Sequence, residues 1–406
     1  MKITENLRTL YLSYDGITDH LGQSQIIAYL RRLASHHHGF FLISFEKPER
    51  YSEVSDSVRD MIFGKKINWY PMRYTKYPLI FSTLCDLFRC FGKAVILHRR
   101  HRFHIVHCRS HVPALVGLLM KRIFKVKFIF DMRGWWVDEK MESGHWDNWI
   151  FKPIYYLMKR LEVLCLVKSD HIVVLTHASK SLLIQKHQQL FDRITVIPTC
   201  VDFKIFGEFS KQARYKIRSS LGISMESIVL IYSGSFGGNY NVKNIIKIFE
   251  VFIEQYPTSQ FIVLSKTNPD LLHDYLSSNS LLKKKCRLLT VEYREVHKYL
   301  SAADIGIIYY KVNFSALGRS PTKLGEYWAC GVPVLAQKGI GDLDHIQKTY
   351  PFGLILVDDL SKKSFNNGII QMTNSIGKKN LKSASEEYFG IEKGISAYER
   401  VYSLLT

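Results

Sequence analysis

The 406-residue sequence has no run approaching the roughly 18 to 20 apolar residues of a bilayer span, which excludes a membrane-crossing helix as its organising element. Its opening, Met1 to Leu10, is charged and lacks the apolar run of a secretory signal, so the expected location is cytoplasmic, with peripheral attachment at the inner membrane face as the one membrane option. Seven cysteines are scattered without a CxxC pair, which argues against a disulfide frame or a structural zinc and suits reduced thiols. Low-complexity tracts and short repeats are absent, and 47% hydrophobic residues is ample for buried cores; the length suggests two domains. Acidic residues are in short supply: 36 against 56 basic ones leave a net charge of +20, which attracts polyanions such as nucleic acid, anionic lipid headgroups or phosphorylated substrates. No known nucleic-acid-binding motif accompanies that charge, so nucleic acid is not an expected partner.

From Thr9 onward, short apolar runs alternate with longer amphipathic segments. Thr9 to Tyr14, Phe40 to Phe45, Phe103 to Cys108, Lys127 to Phe130, His171 to Leu175 and Ile194 to Ile197 read as buried strands. Ser24 to Ser35, Pro113 to Phe124, Pro153 to Lys168 and Ala178 to His187 read as helices between them. Alternation of this length implies a mostly parallel sheet covered on both faces. Residues 203–224 are polar and charged and read as a linker. The alternation then restarts with strands at Ile228 to Tyr232, Phe261 to Leu264, Arg287 to Val291, Ile305 to Tyr309, Val332 to Ala336 and Leu354 to Val357. The expected organisation is an N-terminal domain over 1–202, a linker over 203–224, a second domain over 225–385, and a helical tail over 386–406 that crosses back to the first domain. Ligands of such α/β sheets bind beyond the carboxyl ends of the strands.

The first half is the more basic, +12 up to and including Asp202 against +8 after it. Lys93 to Lys127 carries nine basic residues and no Asp or Glu. This reads either as a solvated basic face or as an anionic-membrane patch, the latter because Phe88, Phe91, Leu97, Phe103 and Phe124 are interleaved.

The stretch Arg319-Ser320-Pro321-Thr322-Lys323-Leu324-Gly325-Glu326, running on to Gly331 and the apolar Val332 to Ala336, reads as loop, short helix and buried strand. Ser320 suits an N-cap, Pro321 the first helical position and Gly331 the left-handed position past the helix end. The free N–H groups and partial positive charge of that N-terminus, with Lys323 on the first turn and Glu326 three residues later, suit a diphosphate attached to a ribose. The plain alternative is an exposed i,i+3 ion pair contributing a few tenths of a kcal/mol.

Two further stretches invite chemistry. Asp15 to Ser24 follows the first strand; Gly16 and Gly22 admit close backbone approach to a ligand, with Gln23 beside them, but the spacing matches neither GxGxxG nor a Walker A loop. Asp131-Met132-Arg133-Gly134-Trp135-Trp136 ends a strand with a carboxylate, a guanidinium and two indoles that can hold a sugar's hydroxyls and its apolar face. The alternative is a structural Asp131–Arg133 pair with core tryptophans. His107, Arg109 and His111 surround another strand end and are expected to line the same cleft, without a carboxylate at metal-ligand spacing. Asp342-Leu343-Asp344 resembles an Asp-x-Asp metal motif but reads better as a helix cap.

Taken together, these stretches resemble the retaining glycosyltransferases of family 4, the group 1 glycosyl transferases. The similarity runs through Asp15 to Gln23, Asp131 to Lys140, Val196 to Asp202, Gly234 to Tyr240 and Ser320 to Ala336, and Glu326 to Val334 is its most specific part. The resemblance implies the α/β GT-B fold, two doubly wound Rossmann-like domains facing a central cleft. It also implies transfer of a sugar from a nucleotide diphosphate sugar to a glycan or lipid-linked acceptor in polysaccharide biosynthesis, with retention and without metal or other cofactor. By the match, Glu326 binds the ribose hydroxyls, and Ser320, Thr322, Lys323 and Arg319, with Gly234 and Ser235, hold the diphosphate. Asp131, Arg133 and Lys323 are the expected catalytic groups, and Gly22, Gln23, His107 and Arg109 the expected acceptor side. The sequence departs from the family where a second Glu often stands eight residues before Glu326, a position filled here by Gly318, and where Ser235 and the Phe236 to Tyr240 loop replace a basic pair. Rival readings are a nucleotide-sugar epimerase on the same fold and a non-catalytic, basic membrane- or nucleic-acid-binding module.

Overall fold

The computed structural model describes residues 7–35, 38–207, 209–236, 242–266, 275–276, 279–358, 361 and 378–406. The chain forms two compact units, Met1–Pro198 with Glu392–Thr406, and Thr199–Ile391.

Unit 1 is built on a parallel seven-stranded sheet, β1 (Leu7–Ser13), β2 (His38–Glu46), β3 (Ile67–Arg73), β4 (Ile105–Arg109), β5 (Lys127–Asp131), β6 (His171–Val174) and β7 (Ile194–Val196), in the order β3-β2-β1-β4-β5-β6-β7. Its first connection starts as a helical turn at His20–Gly22, widens to π hydrogen bonding over Gln23–Ile27 and continues as α1 (Ala28–Leu33). The other helices used below are α2 (Pro48–Ile62), α3 (Leu79–His101), α4 (His111–Phe124) and α5 (Lys152–Lys168). Strand order reverses direction at β1 and β4, and crossovers are right-handed. The β3–β4 and later connections therefore put α3, α4 and α5 on one face of the sheet and leave α2 on the other. The central strands are apolar on both sides, as sheets covered by helices require: Leu10, Leu12, Ile105, Val106, Phe128, Ile129 and Phe130 are all buried.

Unit 2 repeats the plan with six parallel strands, β8 (Val229–Ser233), β9 (Gln260–Leu264), β10 (Cys286–Leu289), β11 (Ile305–Ile308), β12 (Val334–Gln337) and β13 (Leu354–Val357), ordered β10-β9-β8-β11-β12-β13. Its helices include α6 (Lys211–Ser220) and α7 (Thr322–Ala329).

Residues 203–224 are not a linker. Phe206 is fully buried in the core of unit 2 and α6 packs on the helix Val296–Ala302. Arg218, also fully buried, pairs with Asp304 at 2.7 Å and donates to the carbonyls of Ala302 and Ser227, while Arg214 takes the other Asp304 oxygen at 2.8 Å. Arg214 and Arg218 are thus spent on Asp304 and on backbone carbonyls, while Lys211 and Lys216 stay exposed. The C-terminal boundary also differs from expectation: Lys378–Phe389 lies in unit 2, and Glu392–Thr406, most of the last helix α8 (Ile391–Ser403), belongs to unit 1. There Tyr398 and Tyr402 are buried against the sheet, with the Tyr402 ring edge-on to His38 at 4.6 Å.

Candidate functional site

In unit 2 the carboxyl ends of β8 and β11 meet the start of α7. The φ of Gly234, just past β8, is +152°, and a Cβ there would collide with the Lys323 ammonium, so the cation rests on bare backbone at the strand end. Lys323 Nζ lies 4.8 Å from the centroid of the Tyr232 ring and 5.8 Å from that of Tyr310, and the Arg319 guanidinium lies 5.4 Å from the same Tyr310 ring. Two cations and a helix N-terminus therefore gather around two tyrosines. The turn beneath them is fixed: Tyr232 Oη donates to the Ser235 carbonyl at 2.7 Å, and Ser233 N–H donates to Tyr327 Oη at 2.9 Å.

One turn along α7, Glu326 is only 6% exposed, and Tyr293 Oη donates to its Oε1 at 2.8 Å. Burial pushes the Glu326 carboxyl above the usual range, against the hydrogen bond from Tyr293 and the attraction of Lys323. A carboxylate buried against its own preference, with a lysine one turn away, is a candidate acceptor for a ligand. The helix carrying these groups is rigidly seated. Gly325 lets Val201 and Phe389 pack where a Cβ would overlap them, Ser385 Oγ donates to the Gly325 carbonyl at 2.8 Å, and Trp328 Nε1 donates to the Gly353 carbonyl at 2.8 Å. Gly331, at φ +72°, ends the helix as expected.

Ser320 behaves otherwise. Pro321 occupies the N-cap position, and Ser320 Oγ accepts from Thr199 N–H at 3.1 Å, pinning the first residue of unit 2 rather than capping α7. Thr322 is the first helical residue and half-buried, Ser235 is exposed, and Gly318 is buried at the end of a 3-10 turn, Phe314–Gly318. Part of the Phe236 to Tyr240 loop, residues 237–240, lies outside the described residues.

Gly234→Ala is expected to displace the Lys323 ammonium while leaving its charge intact, weakening nucleoside diphosphate binding about tenfold, a cost of roughly 1.4 kcal/mol. Calorimetric titration of parent and variant checks it; unchanged affinity would detach Lys323 from the ligand.

In unit 1, the Asp15 to Gln23 loop is organised by a residue that the sequence did not single out. Glu46, at the end of β2, is buried and accepts from Ile17 N–H at 2.9 Å, Thr18 N–H at 3.1 Å and Thr18 Oγ1 at 2.6 Å. Gly22 is needed for its own loop: a Cβ would overlap the Gly16 carbonyl and Ile17 Cα. Gln23 Nε2 donates to the Thr18 carbonyl at 3.4 Å and opens the π turn, which presents Gln25 to Arg133.

The strand-end groups of β4 and β5 are interior. Asp131 is fully buried and Tyr398 Oη donates to its Oδ2 at 2.9 Å; His107 Nε2 stands 3.5 Å from the same oxygen, and the Nδ1 of His107 is 2.7 Å from Tyr402 Oη. Burial pushes the Asp131 carboxyl up, but Arg133, His107 and Arg109 outweigh it and hold it below the usual range. Two of the groups expected to touch substrate, Asp131 and His107, are therefore enclosed, and with Tyr398 and Tyr402 they seat helix α8 on the sheet. Arg109 is buried too, its Nε 3.6 Å from Asp15 Oδ2. His111 bonds Glu162 at 2.8 Å, Trp135 is core with Nε1 donating to Ser179 Oγ at 3.1 Å, and Trp136 stacks on His111. The tryptophans accordingly form no open platform. Arg133 is half-buried at φ +56°, and its Nη2 donates to Gln25 Oε1 at 3.1 Å; of the expected Asp131–Arg133 pair it is the member that reaches the surface. Asp342 and Asp344 accept from Tyr388 Oη at 3.0 Å and Gly339 N–H at 3.1 Å respectively, which are structural bonds.

Family descriptions match both units: "Glycosyltransferase Family 4" over residues 22–204 and "Glycosyl transferases group 1" over residues 213–387. No curated protein sequence matches the chain. Among solved structures it is similar to sucrose-phosphate synthase from Thermosynechococcus elongatus, at 14% identity over 98% of this chain and 99% of the other, with a TM-score of 0.70. It is also similar to Anabaena Alr3699/HepE in complex with UDP, at 14% identity over 98% and 100% of the two chains and a TM-score of 0.73. WaaG, a glycosyltransferase involved in lipopolysaccharide biosynthesis, aligns at 13% identity over 98% and 99%, with a TM-score of 0.67.

Proposed function

Starting from a chain that is a glycosyltransferase of the group 1 type on the GT-B fold, we propose that it transfers a sugar from a nucleoside diphosphate sugar to a hydroxyl of a glycan or lipid-linked acceptor, with retention at the anomeric carbon, in polysaccharide biosynthesis. The observation that carries this reading is the seat of the Lys323 ammonium on Gly234 at the end of β8, with the Glu326 carboxylate one turn deeper on the same helix. The solved Anabaena relative is known with UDP and with UDP-glucose, which supports a donor of that class.

As the bond between the anomeric carbon and the diphosphate breaks, negative charge grows on the departing phosphate. The first N–H groups of α7, the Lys323 ammonium and the Arg319 guanidinium are preorganised to meet it, and such donors act most strongly where charge appears only in the transition state. Glu326 accepts hydrogen bonds from the ribose hydroxyls. With Ser235 and the loop after it in place of a basic pair, more of the leaving-group stabilisation falls to Lys323. We assign sugar-hydroxyl recognition on unit 1 to Arg133 rather than to Asp131, because the latter is fully buried with Tyr398 on its Oδ2, whereas Arg133 is half-buried. Charge neutralisation by Lys323 and Arg319 leaves no requirement for a metal, so transfer is expected to persist in chelator.

The test is a screen of uridine, guanosine, adenosine and thymidine diphosphates for thermal stabilisation, which by mass action reaches about 2.7 kcal/mol at a hundredfold excess over Kd. Incubation of the matching nucleotide sugar with and without glycan acceptors follows. Sugar conversion in donor alone would indicate an epimerase, and polyanion binding without any nucleotide stabilisation a non-catalytic module.

A further inference from the structure

The sheet of unit 1 has two ends. Asp131 and Arg109 close its carboxyl end, whereas a concavity of about 600 Å³ opens at the other, between the last turns of α4 and α5 and the first residue of β5. Its wall carries Lys121, Arg122, Lys125, Lys127 and Lys168, with Asp170 as the one acid, and its apolar floor is Leu118, Val126 and Leu164. Asp170 is spent on Lys121 at 2.7 Å and on Phe128 N–H at 2.8 Å. The other four cations form no salt bridge among the described residues. Cations near helix C-termini are ordinary, but here they ring a cavity with an apolar floor.

The helices around that cavity share one face of the sheet and pack side by side, α3 on α4 and α4 on α5. α3 turns Ser82, Asp86, Cys90, Ala94 and Leu97 inward. Its outward side exposes Phe81 at 70% and Phe88 at 76%, and continues into Arg99 and Arg100. α4 exposes Leu119 and Ile123, one turn apart, and α5 exposes Leu157 and Leu164. A soluble polyanion needs the charges but not the phenylalanines, whereas an interfacial surface needs both: basic groups for the headgroups and apolar ones for the acyl boundary.

We propose that the α3–α4–α5 face docks unit 1 on an anionic bilayer, with the cavity between α4 and α5 seating a lipid headgroup phosphate. This is independent of the donor assignment in unit 2 and stands or falls separately from it.

Flotation with vesicles tests it, using phosphatidylcholine alone and phosphatidylcholine with about a third phosphatidylglycerol, since each basic residue near such a surface contributes roughly fivefold in partitioning. The parent is expected to float with the anionic vesicles and not with the neutral ones. Arg122→Gln/Lys125→Gln/Lys168→Gln should lower the partition coefficient on the order of a hundredfold. Phe81→Ser/Phe88→Ser should lower it also in high salt, where electrostatic attraction is screened. Arg59→Gln/Lys65→Gln/Lys66→Gln, which removes exposed cations from α2 and the turn after it on the opposite face, should change it little. All substituted side chains are at the surface, and an unchanged melting temperature confirms folding. Failure of the parent to bind anionic vesicles overturns the proposal, as does equal loss in the opposite-face variant, which would make the attraction one of net charge alone. Binding to single-stranded DNA without binding to vesicles would also overturn it, in favour of a soluble polyanion.

Discussion

Replacing Lys323 by Ala is expected to lower turnover by roughly two to three orders of magnitude, the usual cost of removing one preorganised donor from a developing negative charge. Three features set the size of the effect. The ammonium is fixed between Gly234 and the Tyr232 ring, so little is lost to reorganisation when the phosphate departs. It stands on the first turn of α7, where the backbone dipole acts in the same sense. No basic pair follows β8 to share the neutralisation, Ser235 standing there instead. Lys323 is half-buried and its loss opens no core cavity, so the variant should remain within about 1 kcal/mol of the parent in stability. Single-turnover rates with the identified donor, alongside a melting curve, separate chemistry from folding. A folded variant with parental turnover would remove Lys323 from the mechanism.

Glu326→Gln is expected to weaken nucleoside diphosphate binding about 30-fold, because two hydrogen bonds to a charged acceptor become bonds to a neutral one at about 1 kcal/mol each. The same substitution should stabilise the unliganded protein at pH values above the folded pKa of Glu326. The carboxyl is raised in the folded state, so the stability it contributes is complete below the unfolded pKa and is lost as pH rises through the folded pKa, above which the ionised, buried group opposes folding. A residue serving only structure would show the reverse pattern. Parental nucleotide affinity should also fall as pH drops through the raised value, while the Gln variant stays flat. Tyr293→Phe, which deletes the hydrogen bond lowering that value, should shift the fall to higher pH. Titration calorimetry over a pH series that spans the raised carboxyl reads both effects; coincident parent and Gln profiles would exclude Glu326 as the ribose acceptor.

What was legible in the sequence was local. The buried strands announce themselves as apolar runs, and Lys323, Glu326 and Gly331 lie close enough along one helix for spacing alone to place them. β3 escaped because Ile67–Arg73 contains Pro71 and is half-exposed on an edge that pairs only with β2, where a proline does no harm. What failed was decided by partners far along the chain. The charges of residues 203–224 resembled a solvated linker until Asp304 claimed Arg214 and Arg218. Ser320 looked like a cap, but Thr199 uses its hydroxyl. Asp131 had every local mark of a functional carboxylate, yet Tyr398, from the other end of the sequence, encloses it. Tyr293 and Glu46, which position Glu326 and the Gly16–Gly22 loop, carry no motif at all.

The central claim is that the head of α7 and the end of β8 bind the diphosphate of a nucleotide sugar. Its most direct test is calorimetric comparison of a nucleoside diphosphate with the corresponding monophosphate, in the parent and in Lys323→Ala. The parent should prefer the diphosphate by at least about tenfold, or roughly 1.4 kcal/mol, and the variant should lose this preference while still binding the monophosphate. An undiminished preference in the folded variant would contradict the claim.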